Sequence, residues 1–247
     1  PLSPSQFFRQ VADVFRSASA RIVVLGGVLY YAGVGTYVAL WVYIYSYFWE
    51  FTSEQISIIV IPMAVAALFL PPAIARWGVG REKKTVAITG LLSGMAINVI
   101  PIGLRLLGFF PENGSAALFW IMLVAGFFET MLLLLFDISW RSMIADLTER
   151  TELETGRRNE GVISSTITFT SKCADALGTL IAGTALSLIA FPTETAVGEV
   201  PPDVIAELGL IYGPMIFLIW MGVIVTISRY RIGRSHHEEI LERLSNR

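Results

Sequence analysis

Residues 143–179 read MIADLTERTELETGRRNEGVISSTITFTSKCADALGT. From Asp146 to Glu160 the stretch is dense in carboxylates and arginines; beyond Gly161 it turns apolar, yet it carries Lys172 and Asp175. An apolar run of this kind reads as a membrane-spanning helix. A lysine within one costs about 2.5 kcal/mol or more unless it pairs or faces a watery cavity. Thr168, Lys172, Asp175 and Thr179 recur at i, i+4, i+7 and i+11, which puts them on one helical face. At 1.5 Å per residue from Gly161, Lys172 lies roughly 16 Å along the axis, near mid-bilayer. Two readings stand side by side. Either the stripe lines a cavity in which Lys172 meets a substrate or a coupling-site carboxylate, or Lys172 and Asp175 form a local ion pair against a neighbouring helix.

The composition fits a membrane setting. The chain has 247 residues, 54% of them hydrophobic and 15% charged, against about 25% charged in soluble domains. Its one cysteine, Cys173, excludes an internal disulfide, and its two histidines, His236 and His237, sit together near the C-terminus. No metal-catalytic pattern, nucleophile–base set or nucleic-acid module is present, so the expectation is a non-enzyme with no cofactor beyond a possible coupling ion. The chain begins at Pro1 and shows no signal-peptide pattern, which reads as a fragment or processed chain.

Working outward from residue 161, six apolar runs appear, at about 22–49, 56–75, 85–104, 115–141, 161–191 and 210–228. Each approaches the roughly 20 residues that cross a bilayer. The expected architecture is therefore an all-α membrane protein with a six-helix bundle over 22–228. A cytoplasmic interfacial segment over 1–21 precedes it and a charged tail over 229–247 follows. Arginines and lysines gather before the first span, between the second and third, after the fourth and after the sixth, whereas the opposite loops hold only Arg105 among acids. By the positive-inside rule both termini are cytoplasmic. Pro62 with Pro71 and Pro72 in the second span, and Asn98 with Pro101 in the third, mark bends. Trp41, Tyr43, Tyr45, Tyr47, Phe48 and Trp49 read as an interfacial belt or as packing.

Two further acids fall in the fourth span. Asp137 is four residues before Arg141, close enough to pair with it. Glu129 is deeper and has no opposite charge within a turn; it reads equally as a protonated packing residue or as a proton-carrying group.

The series Met143-Ile144-Ala145-Asp146, Glu149, Glu152, Thr155-Gly156-Arg157-Arg158-Asn159-Glu160-Gly161, Phe169, Lys172 and Ala176-Leu177-Gly178 resembles the glycoside–pentoside–hexuronide:cation symporter family, in which melibiose permease is the best-known member. The match is ungapped over about 35 residues. The resemblance implies the C-terminal six-helix half of a major facilitator superfamily transporter, built from three-plus-three inverted repeats, with substrate bound at the midplane against an N-terminal half. It implies cation-coupled symport of a sugar or glycoside by alternating access, with Na+ or H+ as the coupling ion. On that reading Lys172 and Thr168 lie near the cation site, with Asp175, Asp137 and Glu129 as the other substrate- or cation-proximal groups. Asp146, Glu149, Glu152, Arg157, Arg158 and Glu160 would form a cytoplasmic gate, the bland alternative being a solvated loop. Asp137 stands where melibiose permease has a sugar-stacking tryptophan, and relatives in the broader group carry lysolipids, so the substrate class stays open. The implied partners are a small solute, the lipid bilayer and the N-terminal half, with no nucleic acid. The implied location is a bacterial inner or plasma membrane. A membrane-embedded lipid-modifying enzyme using Glu129 or Asp137, and a non-catalytic scaffold subunit, are the competing classes.

Overall fold

The computed structural model describes residues 18–78, 80–155, 160–192 and 195–229. The described residues are helical apart from turns and short connections. Helix α1 spans Ala18–Tyr43 and widens into a π turn over Ile44–Phe48; α2 is Ser53–Phe69, α3 Pro71–Gly78, α4 Lys83–Leu106, α5 Ala116–Thr155, α6 Glu160–Leu188 and α7 Pro202–Ser228. Four of them, α1, α4, α5 and α7, are long and apolar enough to cross a membrane by length and composition.

The second and fifth apolar runs of the sequence depart from that standard for physical reasons. The second breaks at Leu70, because Pro71 and Pro72 lack the amide protons that would continue the ladder. This leaves α2 with 17 residues, about 25 Å at 1.5 Å per residue. Its start is fixed by a capping box: the Thr52 hydroxyl accepts from the Gln55 amide at 3.2 Å, and the Gln55 side chain accepts from the Thr52 amide at 3.0 Å. α6 has 29 residues, but Lys172, Asp175 and its many hydroxyls dilute its apolar character.

The charged stretch after the fourth span, expected as a loop, is helical through Thr155. Phe136, Trp140, Met143 and Leu147 explain this. They are buried at i, i+4, i+7 and i+11, so the packing stripe runs on past the point where hydropathy falls.

The helices pack as α1 on α6, α1 on α7, α4 on α5, α4 on α7 and α2 on α5. Exchange the first three spans for the last three, and this set of pairings maps onto itself: α1–α6 becomes α5–α2, α1–α7 becomes α5–α4, and α4–α7 is unchanged. The pairings are those of a three-plus-three repeat, in keeping with what the resemblance implies. α1, α4, α5 and α7 form the centre, with α2 flanking α5 and α6 flanking α1.

The centre is sealed by large side chains. Trp140, Trp220, Tyr212 and Phe136 are among the largest fully buried residues, and Phe136 stacks on Trp140 at 6.1 Å between ring centroids. Tyr45, Phe48 and Trp49 are also buried, so these three aromatics serve as packing rather than as a belt exposed to lipid headgroups.

Candidate functional site

α6 reaches α1 through small residues. Ala174, Gly178 and Ala182 face the contact, and a side chain at Gly178 would collide with the Ala32 carbonyl and the Thr36 amide. The Thr36 hydroxyl, fully buried, donates to the carbonyls of Ala32 (2.8 Å) and Gly178 (3.0 Å). Each side chain that lets the helices touch here is small or hydrogen-bonded, so the register of α6 on α1 is firmly set.

That register turns the polar stripe away from the contact. Thr168, Lys172 and Thr179 are exposed, and Asp175 is half-buried. Asp175 leans on α1: a Cβ built on Gly35 would lie 2.9 Å from its Oδ1. Lys172 forms no ion pair among the described residues, so the local Lys172–Asp175 pair weighed from the sequence is not formed. Phe169, beside Thr168, is also exposed. The stripe is thus an open face with one unpaired cation, rimmed by hydroxyls and an acid held against α1.

Asp137 and Arg141 pair as their spacing predicted, with Arg141 Nε 2.7 Å from Asp137 Oδ2. The pair lies near this face. Tyr31 on α1 is adjacent both to Asp137 on α5 and to Ser171, the neighbour of Lys172 on α6. Tyr31 was missed by sequence reasoning. Its only signal is a polar hydroxyl well inside an apolar span, and a tyrosine there reads as ordinary packing.

Glu129 sits elsewhere. It is 3% exposed in the centre, and no described hydrogen bond or ion pair joins it to Thr168, Lys172 or Asp175. The Asn98 amide on α4 donates to Glu129 Oε1 at 3.0 Å and to the Tyr212 hydroxyl on α7 at 3.0 Å. Asn98, read from sequence only as part of a bend, is therefore the bridge among three helices.

At the end of α5 expected to be cytoplasmic, Asp146 is 4% exposed, and Lys83 at the start of α4 donates to both its carboxylate oxygens, at 2.6 and 2.8 Å. Glu149 lies one turn further along α5 and also has polar contacts. Arg157 and Arg158 lie outside the described residues, as do the side chains of Glu152 and Glu160. Among the described residues no three His, Cys, Asp or Glu side chains come together as a metal site.

Comparison with known proteins adds one finding. A family model described as MFS/sugar transport protein matches residues 2–234. No curated protein and no solved structure matches.

Proposed function

We infer the activity from the premise that this chain belongs to the MFS/sugar transport protein family, whose model matches nearly its whole length. The chain is accordingly an integral membrane transporter protein, in a family of carriers rather than of enzymes. Beyond that membership, the reading is cation-coupled symport of a sugar-like or other small solute by alternating access. In it the described bundle is the C-terminal half, paired with a six-helix N-terminal half in a bacterial inner or plasma membrane, and both ends of this half are cytoplasmic.

The observation that carries this reading is Lys172. It is exposed on a flanking helix and unpaired among the described residues. An ammonium at bilayer depth without a counter-charge is costly. The simplest compensation is a carboxylate, a solute or hydrated space on the far side of the α6 face. Thr168 and Thr179 add hydroxyls to that face, and Asp175 and Asp137 supply acids beside it. Such a face suits a polyhydroxylated solute, whose recognition is a matter of hydrogen bonds from a few fixed polar groups. Na+ or H+ is the coupling ion of this reading, bound by acids of the opposite half, with Lys172 coupling the occupancies of the two sites.

Asp146, Glu149, Glu152, Arg157, Arg158 and Glu160 form the cytoplasmic gate of this mechanism. Charge-assisted contacts at the cytoplasmic end exchange partners between inward- and outward-facing states.

The test is uptake by the full-length transporter in proteoliposomes under an imposed Na+ or H+ gradient. Labelled sugars, glycosides and lysolipids form the substrate panel. Lys172→Ala is expected to abolish gradient-driven uptake while expression and folding persist. Normal gradient-driven uptake in Lys172→Ala contradicts the assignment.

A further inference from the structure

Arg141 has donors that its ion pair does not use. Its Nε atom is 2.7 Å from Asp137 Oδ2, and both Nη groups are without a partner among the described residues. The pair does little for the fold, since the Arg141 side chain is 66% exposed and exposed pairs contribute little stability. The guanidinium lies beside Tyr31 on α1, which also neighbours Ser171 on α6, next to Lys172. α5 continues from Arg141 to Thr155, about 21 Å further at 1.5 Å per residue. Arg141 therefore stands along the polar face of α1, α5 and α6 rather than at the free end of its helix.

The charges on that face are not placed alike. The cations reach outward: Lys172 is exposed and unpaired among the described residues, and Arg141 is open along its Nη edge. The acids are drawn back: the Asp137 side chain is 24% exposed and turned to Arg141, and Asp175 is half-buried against α1. An approaching solute meets positive charge first. A neutral sugar, recognised by donors and acceptors alike, gives no reason for that order. An oxyanion does, because the planar Nη edge can donate two parallel hydrogen bonds to a carboxylate or a phosphate. The formal charges of Lys172, Arg141, Asp137 and Asp175 cancel, so a bound anion leaves an excess negative charge that a co-transported cation offsets.

We propose that the Nη edge of Arg141 is an oxyanion subsite on the open face, and that the solute carries a carboxylate or a phosphate. Arg141 binds that group directly, and Lys172 adds to the attraction from α6. This substrate class rests on the reading of the face as the solute site.

Calorimetric binding to the full-length protein in lipid nanodiscs tests it, with Na+ present, no gradient imposed and empty nanodiscs as the reference. Two matched pairs are titrated: a glucuronide with the corresponding neutral glucoside, and a lysophosphatidate with the corresponding monoacylglycerol. The anionic member of one pair is expected to bind about tenfold tighter or more. Which pair it is tells a carboxylate from a phosphate. Arg141→Gln is expected to erase that preference. Equal or weaker binding of the anion in both pairs, or no binding in either, overturns the proposal. A preference that survives in Arg141→Gln also overturns it, by leaving the guanidinium to lipid headgroups. Should Arg141→Gln fail to fold, Arg141→Lys decides, because it keeps the charge and loses the fork; an undiminished preference overturns the proposal. Gradient-driven uptake of the neutral glucoside with no preference for the glucuronide would overturn this inference and leave symport standing. A preference for the anion without gradient-driven uptake would overturn symport alone.

Discussion

Two polar groups in this bundle lie in spans of the same membrane and are treated in opposite ways. Around Glu129 the chain closes every side: three helices contribute neutral partners, and the carboxyl is 3% exposed. Around Lys172 it leaves the side chain exposed, while the opposite face of the same helix is locked onto α1 through Gly178 and Thr36. A polar group enclosed with its partners has its bonding met by the fold itself. One kept for a ligand or for another protein surface must be held on a rigid element and left open. The contrast teaches that α6 is a platform: its small residues fix position, and its polar stripe is what it presents.

The comparison breaks first if the platform can be disturbed without consequence. Gly178→Val puts a branched side chain against the backbone of α1, where even a Cβ meets the Ala32 carbonyl. A loss of about 3 kcal/mol or more is expected, since rigid backbone cannot yield as a side chain does. Thermal melting in detergent measures it, and a melting temperature equal to wild type would mean that α6 is not anchored there.

A smaller effect is expected towards the C-terminal end of α5. Asp146→Asn halves the charge-assisted clamp on Lys83, with a loss of about 1–3 kcal/mol. In the gate reading it also changes the rate of exchange between inward- and outward-facing states more than it changes substrate affinity. Single-molecule fluorescence and equilibrium binding separate the two, and an affinity loss with unchanged exchange would count against the gate.

The smallest effect belongs to Arg141→Ala. The Arg141 side chain is 66% exposed although its bond to Asp137 is short, and exposed pairs contribute only about 0–1 kcal/mol. A melting temperature within error of wild type is expected. A drop as large as that of Asp146→Asn would sharpen the comparison by moving the Asp137 pair to the enclosed class.

Much of this was legible in the sequence, and the residues show where legibility stops. Apolar runs and paired prolines announce an all-α membrane bundle with a broken second span, because hydropathy and missing amide protons are local properties. The extension of α5 was not legible, since hydropathy marks where a helix leaves lipid and not where its packing stripe ends at Leu147. The face shared by Thr168, Lys172, Asp175 and Thr179 follows from helical periodicity alone. Which way that face turns depends on Gly178 meeting Ala32, a contact 146 residues apart in sequence. The Asn98–Glu129–Tyr212 bridge was hidden for the same reason: three helices must be in register before the amide has two partners. Tyr31 needed the α1–α6 crossing before it could be placed beside Asp137 and Ser171.

The most direct test pairs one residue from each region. Asn98→Leu and Lys172→Ala are made in the full-length transporter, and both melting temperature and gradient-driven uptake are measured. The account predicts that Asn98→Leu lowers the melting temperature, whereas Lys172→Ala melts as the wild type does and loses gradient-driven uptake. A Lys172→Ala protein that melts as early as Asn98→Leu, or that still takes up solute down the gradient, would contradict it.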